Sequence, residues 1–335
     1  MRPMVLLRSR LLAAPLRTAS FSVLGFEPCD AEIRGRLERV LETFLEGYNL
    51  ALAHDDQQEL AAALRRRFDD HHLGFGFEGA GMAYALLDLL APWRAHRLRA
   101  FVTGAGRHHD YISMVGAGFA IGRLPWGRRL WPAYARRLDP LIAWCLADGY
   151  GFYEGMLHSR RYLAGHGAAP AGLAAWARRL FDSGLGRSLW WSQGAEPRRI
   201  ARVIDGFPAP RQPEMWCGIG IAVAYAGGAG DEVMAELRRL AGRHLPDLLS
   251  GVPFAAIMRE KGGNASPVTD RACRLLLGSS TAAASRWLAD TLSSVVGDES
   301  IERAVRLRDA YFLLRGRLVE DLRQSRWRRE TQHTA

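Results

Sequence analysis

The sequence predicts an all-α protein of tandem helical hairpins with an internal duplication, curved into a solenoid or a toroid. Three observations carry this. Apolar residues recur at helical spacing, cap residues stand where such runs begin and end, and no period-two alternation extends beyond a few residues. The first long helix, "DAEIRGRLERVLETFLEGYNLAL" (30–52), sets Ile33, Leu37, Val40, Leu41, Phe44 and Tyr48 on one face, with Asp30 as its N-cap. The next, "DDQQELAAALRRRF" (55–68), opens with Asp55 and Gln58 in a spacing close to a capping box. In "LDPLIAWCLADG" (138–149), Asp139 is the predicted cap, Pro140 the first helical residue and Gly149 the residue past the end. "EPRRIARVIDGF" (196–207) repeats that logic with Pro197 and Gly206. The stretch from Ile301 to Arg329 reads as a basic amphipathic helix, with Val305, Leu307, Tyr311, Leu313 and Leu314 among arginines, closing the core.

Glycines inside the small-residue helices provide anchors for a repeat. Gly47, Gly79 and Gly116 are followed by Gly184, Gly218 and Gly251 at offsets of 137, 139 and 135 residues. These offsets predict a duplication, with halves at 30–163 and 170–295 forming one compact unit. A basic N-terminal segment (1–29) and a C-terminal basic helix (299–330) flank them. A glycine in a helix costs about 0.5–1 kcal/mol relative to alanine, and close approach to a neighbouring helix offsets that cost. Curved repeats of this kind enclose a groove or cavity.

At 335 residues and 48% hydrophobic composition, the chain is globular and long enough for a sizeable core. Of the 45 basic residues only Lys261 is a lysine, so the net charge of +10 reflects arginine-rich coding more than a nucleic-acid surface. The arginine pairs are scattered and no recognition motif accompanies them, so no nucleic-acid partner is expected. The four cysteines are far apart and form no CxxC, which points to small buried thiols in a reducing, cytoplasmic setting. Arginines interrupt every apolar run near the N-terminus, and no stretch reaches the length of a membrane span.

Six ordered blocks, "GFGFEGAGMAYALLDLL", "YISMVGAGFAIGRLP", "DGYGFYEGMLH", "FDSGLGRSLWW", "MWCGIGIAVAYAGG" and "GNASPVTDRACRLLLG", resemble the DUF1702 family, which includes the UnbL proteins of enediyne polyketide gene cassettes. The resemblance spans about Leu24 to Ser280 and supplies no catalytic residues. It implies an accessory protein in building an enediyne or related polyene-derived product, encoded beside a membrane protein and a secreted protein. The expected ligand is a hydrophobic small-molecule intermediate, and the expected partners are other biosynthetic proteins, a membrane-bound one among them.

Candidate chemistry centres on two related clusters, "LGFGFEGAGM" (73–82) and "DGYGFYEGML" (148–157). One reading makes Glu78 and Glu154 paired acids facing a common cavity, with His158 four residues beyond Glu154 on the same helix face. Phe75, Phe77, Tyr150 and Phe152 would then stack on a flat apolar substrate. The other reading places each glutamate in the first turn of a helix, against an arginine or the macrodipole. "GLGRSLWWSQG" (184–194) brings Arg187 and Trp190 to one flank, as a ligand anchor or as core tryptophan with a snorkelling arginine. The adjacent histidines of "DDHH" (69–72) and "RHHDY" (107–111) lack metal-ligand spacing and read as loops or caps. No cofactor motif is identified. An alternative to ligand binding is a non-catalytic helical scaffold for other biosynthetic proteins.

Overall fold

The computed structural model describes residues 3–94, 96–139, 143–298 and 303–324, and every regular element among them is helical. The helices are α1 (Pro3–Leu12), α2 (Phe21–Leu24), α3 (Ala31–Ala53), α4 (Gln57–Arg67), α5 (Asp70–Leu90), α6 (Arg97–Thr103), α7 (Asp110–Arg123), α8 (Gly127–Ala135) and α9 (Trp144–Leu157). They continue as α10 (Ala175–Ser192), α11 (Pro197–Asp205), α12 (Gln212–Tyr225), α13 (Asp231–Ala241), α14 (Leu245–Gly262), α15 (Pro267–Ala272), α16 (Thr281–Val296) and α17 (Arg303–Arg323).

Caps follow the sequence at α3 and α11 and depart from it at α4 and at α9, which begins at Trp144 after Ala143 and not behind a capping Asp139. Asp30 accepts from the Glu32 and Ile33 amides at the start of α3, and Pro197 and Gly206 bound α11 behind an N-capping Glu196. At α4 the cap is Asp56 rather than Asp55, with the Gln58 and Glu59 amides donating to its carboxylate. Pro140 and the side chains of Val305 and Leu307 lie outside the described residues.

An inner row of helices, α3, α5, α7, α9, α10, α12, α14 and α16, packs each against the next. Its spacing element is a Gly-x-Gly pair. Residues two apart on a helix are rotated by about 200°, so the two glycines face opposite neighbours. In α7, Gly116 turns back to the Glu78 carbonyl of α5, while Gly118 turns forward to the Tyr150 amide of α9. The same alternation holds for Gly79 and Gly81, Gly149 and Gly151, Gly184 and Gly186, and Gly218 and Gly220, at intervals of 33–37 residues. A Cβ on any of these would fall 1.8–2.4 Å from backbone of the adjacent helix, so the helices touch main chain to main chain. The offsets of 135–139 residues between the two predicted halves correspond to four such steps.

This contact also corrects the expected start of a helix at "DGYGFYEGML". Gly149 does not end a helix. It lies inside α9 against the Val115 carbonyl, as Gly151 lies against that of Phe181, and the stretch forms the middle and end of one helix. "LGFGFEGAGM" is likewise interior to α5, so neither Glu78 nor Glu154 occupies a first turn.

Helices far apart along the row also meet. The buried Arg259 of α14 donates to the carbonyls of Asp70 and His71 at the start of α5, and Lys261 pairs with Asp110 of α7 at 2.6 Å. The Trp191 indole of α10 reaches the Leu37 carbonyl of α3. Helix α17 packs on α14 and α16, and it buries Tyr311, Leu314 and Leu318, as expected for a closing helix. Its Arg315 turns inward to Glu214, Asp247 and Ser250.

Gly116→Ala places a methyl against a backbone carbonyl that cannot withdraw, and a loss of about 3 kcal/mol or failure to fold is expected. Gly316→Ala, exposed in α17 with open space around it, should instead stabilise by about 0.5–1 kcal/mol. Urea unfolding of the two variants checks the contrast.

Candidate functional site

The glycine contacts carry side chains of α5, α9 and α10 into one buried charged cluster. Gly184 seats α10 on the Asp148 carbonyl, which sets Asp148 opposite Ser183 and Arg187. Arg187 donates to Asp148 at 2.6 Å and Ser183 donates at 2.8 Å, while the guanidinium lies 4.8 Å from the Phe152 ring centre. Glu78 is the third charged member. It is 2% exposed and its Oε1 accepts no hydrogen bond. Burial, opposed by Arg187 and reinforced by Asp148, pushes its carboxyl up to about 8. Arg187, Asp148 and Ser183 face an apolar cavity of about 60 Å³, walled by Tyr111, Trp144 and Tyr311 among others. That space suits a few waters and not an extended organic ligand.

Glu154 and His158 come together as the i,i+4 spacing predicts, with His158 Nδ1 2.6 Å from Glu154 Oε2. They share a 210 Å³ pocket with Tyr150, Tyr162, Arg128 and Arg161. Glu78 is not in its wall, so the two glutamates do not face one cavity, contrary to expectation. The reason is geometric. Glu78 lies one residue before the glycine that packs on α3 and points into the core, whereas Glu154 is in the last turn of α9, where the packed layer ends.

The aromatic residues divide in the same way. Tyr150 lines the polar pocket. Phe75 packs edge-on to Tyr225 at 5.1 Å, Phe77 stacks on the His109 ring at 4.0 Å, and Phe152 meets Phe119 and Trp191. Trp190 donates to the Gly227 carbonyl at 2.7 Å. These four are core packing and none lines these cavities.

A site with the dimensions of a small-molecule pocket and an apolar floor lies elsewhere. A 400 Å³ pocket lies beneath the N-terminal segment, floored by α3, α5, α7 and α9 through Phe44, Tyr48, Met82, Phe119, Tyr153 and Met156. Residues 13–24 form its cover, held by Tyr48 Oη donating to the Leu12 carbonyl and by Asn49 bonding both the amide and the carbonyl of Ala14. Arg123 stands at the rim, 6.0 Å from the Tyr48 ring centre, with no carboxylate partner among the described residues. Sequence reasoning missed this pocket. Its one local signal was that Phe44 and Tyr48, and Phe119 and Arg123, each stand four residues apart on one helix face.

The family model described as "Protein of unknown function (DUF1702)" matches residues 4–320. The chain belongs to the DUF1702 family. No curated protein matches it, and no solved structure does. The match to the DUF1702 model takes in the pocket cover and α17 as well as the glycine-spaced row.

Other features of this DUF1702 chain are structural. Among the described residues no three His, Cys, Asp or Glu side chains converge as a metal site. Burial and the Arg259 charge lower His71 to about 4, and burial with the Arg65 charge lowers His109 to about 3. All four cysteines are free, and burial raises their thiols above the ordinary range. Contrary to the sequence reading, one helix among the described residues, α5, is long and apolar enough to cross a bilayer, and it is mostly buried within the fold.

Glu78 makes stability pH-dependent. Its carboxyl titrates near 8 when folded against an ordinary 4.5, so between those values only the folded state keeps the proton. Stability therefore falls as pH rises from about 4.5 to 8 and levels off above. Glu78→Gln is neutral throughout, and its melting temperature relative to wild type should climb between pH 5 and pH 9. A flat difference would show that the carboxyl is ionised in the fold.

Proposed function

We propose that this protein binds an elongated hydrophobic small molecule in the pocket beneath its N-terminal segment. The observation that carries this is the 400 Å³ volume with an aromatic and methionine floor and an uncompensated Arg123 at the rim. An apolar chain with one anionic end matches that pattern. The resemblance to the UnbL members of the family names the class: a polyene intermediate of enediyne-type polyketide assembly, met in the cytoplasm by an accessory protein. In this reading the curl of glycine-spaced helices is a closed, toroid-like frame whose rim carries the pocket. Glu154 and His158 line a separate pocket beyond Tyr153 and make no contact with the bound chain. The other biosynthetic proteins, including a membrane-bound one, are the partners that deliver and receive it.

A scaffold without chemistry is the second reading, and exposed apolar residues favour it. Trp93 is 80% exposed and Leu11 is 73% exposed, which suits contact with other proteins.

A conjugated polyene fatty acid whose fluorescence rises on transfer from water reports on the pocket. Wild type should bind it saturably. Arg123→Ala should weaken binding about tenfold, the loss of one charge-assisted contact, and Met82→Trp should abolish it by filling the floor. No saturable binding, or binding indifferent to both substitutions, would overturn the pocket assignment.

Chemistry is tested separately, by co-expression with a polyene-forming polyketide synthase. Wild type should alter the chromophore or mass of the released product, and Met82→Trp, which fills the pocket floor, should leave the product unchanged. A product profile that never responds to the protein would favour the scaffold.

A further inference from the structure

We infer that the polar pocket around Glu154 and His158 is a binding site for a phosphate monoester carrying an apolar substituent. The pocket is walled by the end of α7, the start of α8, the end of α9 and the π-turn at residues 160–164. Two guanidiniums reach it from different elements, Arg128 from α8 and Arg161 from the turn. Both are exposed, and neither has a carboxylate partner among the described residues. The Arg161 guanidinium lies 5.1 Å from the Tyr162 ring centre, which fixes it at the pocket edge.

The comparison with another basic pocket is informative. A 590 Å³ pocket between α3 and the loop after α12 has Arg36, Arg39 and Arg271 in its wall. Those three are already neutralised, by Glu32, by Glu42 and Glu46, and by Asp231. Only the smaller pocket keeps two arginines uncommitted. Its carboxylate, Glu154, is bonded to His158.

Charge and donor count point to the ligand class. Two unpaired guanidiniums match the charge of about −1.5 to −2 on a phosphate monoester near neutrality. Guanidinium forks suit its tetrahedral oxygens bidentately. Tyr162 adds a phenol that burial and the Glu154 charge keep protonated, and hence able to donate, while the Tyr150 phenol is bonded to Glu154. Ile121, Leu124 and Pro125 supply an apolar wall for the substituent. At 210 Å³ the pocket is below the range of drug-sized ligands, which excludes a whole nucleotide. The site requires no occupant in the pocket beneath the N-terminal segment, so it stands or falls independently of the polyene reading.

Titration calorimetry with phenyl phosphate at pH 7.5 and constant ionic strength tests it, with benzoate as the carboxylate arm. Saturable one-to-one binding of phenyl phosphate is expected, with benzoate at least tenfold weaker. The double variant Arg128→Gln/Arg161→Gln should lose at least tenfold in affinity while still binding the polyene fatty acid. Arg66→Gln, an exposed arginine outside this pocket, should change nothing and controls for net charge. Absence of saturable binding, equal binding of benzoate, or undiminished binding by the double variant would overturn the assignment.

Discussion

Successive inner helices of this protein touch backbone to backbone, and that contact sets everything built on it. A helix flanked by ordinary side chains keeps its neighbour 8–10 Å away. In α5, α7, α9, α10 and α12 a glycine on each side removes the side chain, so backbone atoms of one helix lie where a Cβ of the next would stand. Because two glycines two residues apart point in nearly opposite directions, one short pattern serves both neighbours. The cost in helix propensity is spread over several helices and is offset by dense packing along the row.

Close spacing also decides where polar chemistry is buried and where it is accessible. With the glycines of α5, α7, α9 and α10 interlocked, the side chains beside them have no route to solvent. Glu78, Asp148 and Arg187 therefore form an interior cluster in which only a well-bonded pair is tolerable. Glu78 answers by keeping its proton. At the helix ends, where the glycine pattern stops, the row opens, and both the apolar pocket and the Glu154–His158 pocket are found there. The two are separated by Tyr153, whose ring packs on Gly122.

How far the sequence was legible follows the same division. Caps and amphipathic faces are local, and Asp30, Pro197 and the face of α3 were readable at sight. The Glu154–His158 contact was readable because four-residue spacing on a helix is also local. The common cavity for Glu78 and Glu154 was not, since similar flanking residues hid different positions along their helices, one mid-helix and one in a final turn. Phe75, Phe77, Phe152 and Trp190 looked like a ligand platform because aromatic composition is the same whether rings meet a substrate or each other.

By itself the sequence determined helix content, the caps of α3 and α11 and the glycine periodicity, since these depend on dihedral preference and on spacing within about one turn. Tertiary structure alone decided what each glycine touches, that Asp148 is the partner of Arg187, and that Arg123, Arg128 and Arg161 have no acid partner among the described residues. Those outcomes depend on which distant segments are brought together in the fold, and no local preference encodes that. The Arg187–Asp148 pair joins residues 39 apart in the chain, and Arg259 meets Asp70 across 189.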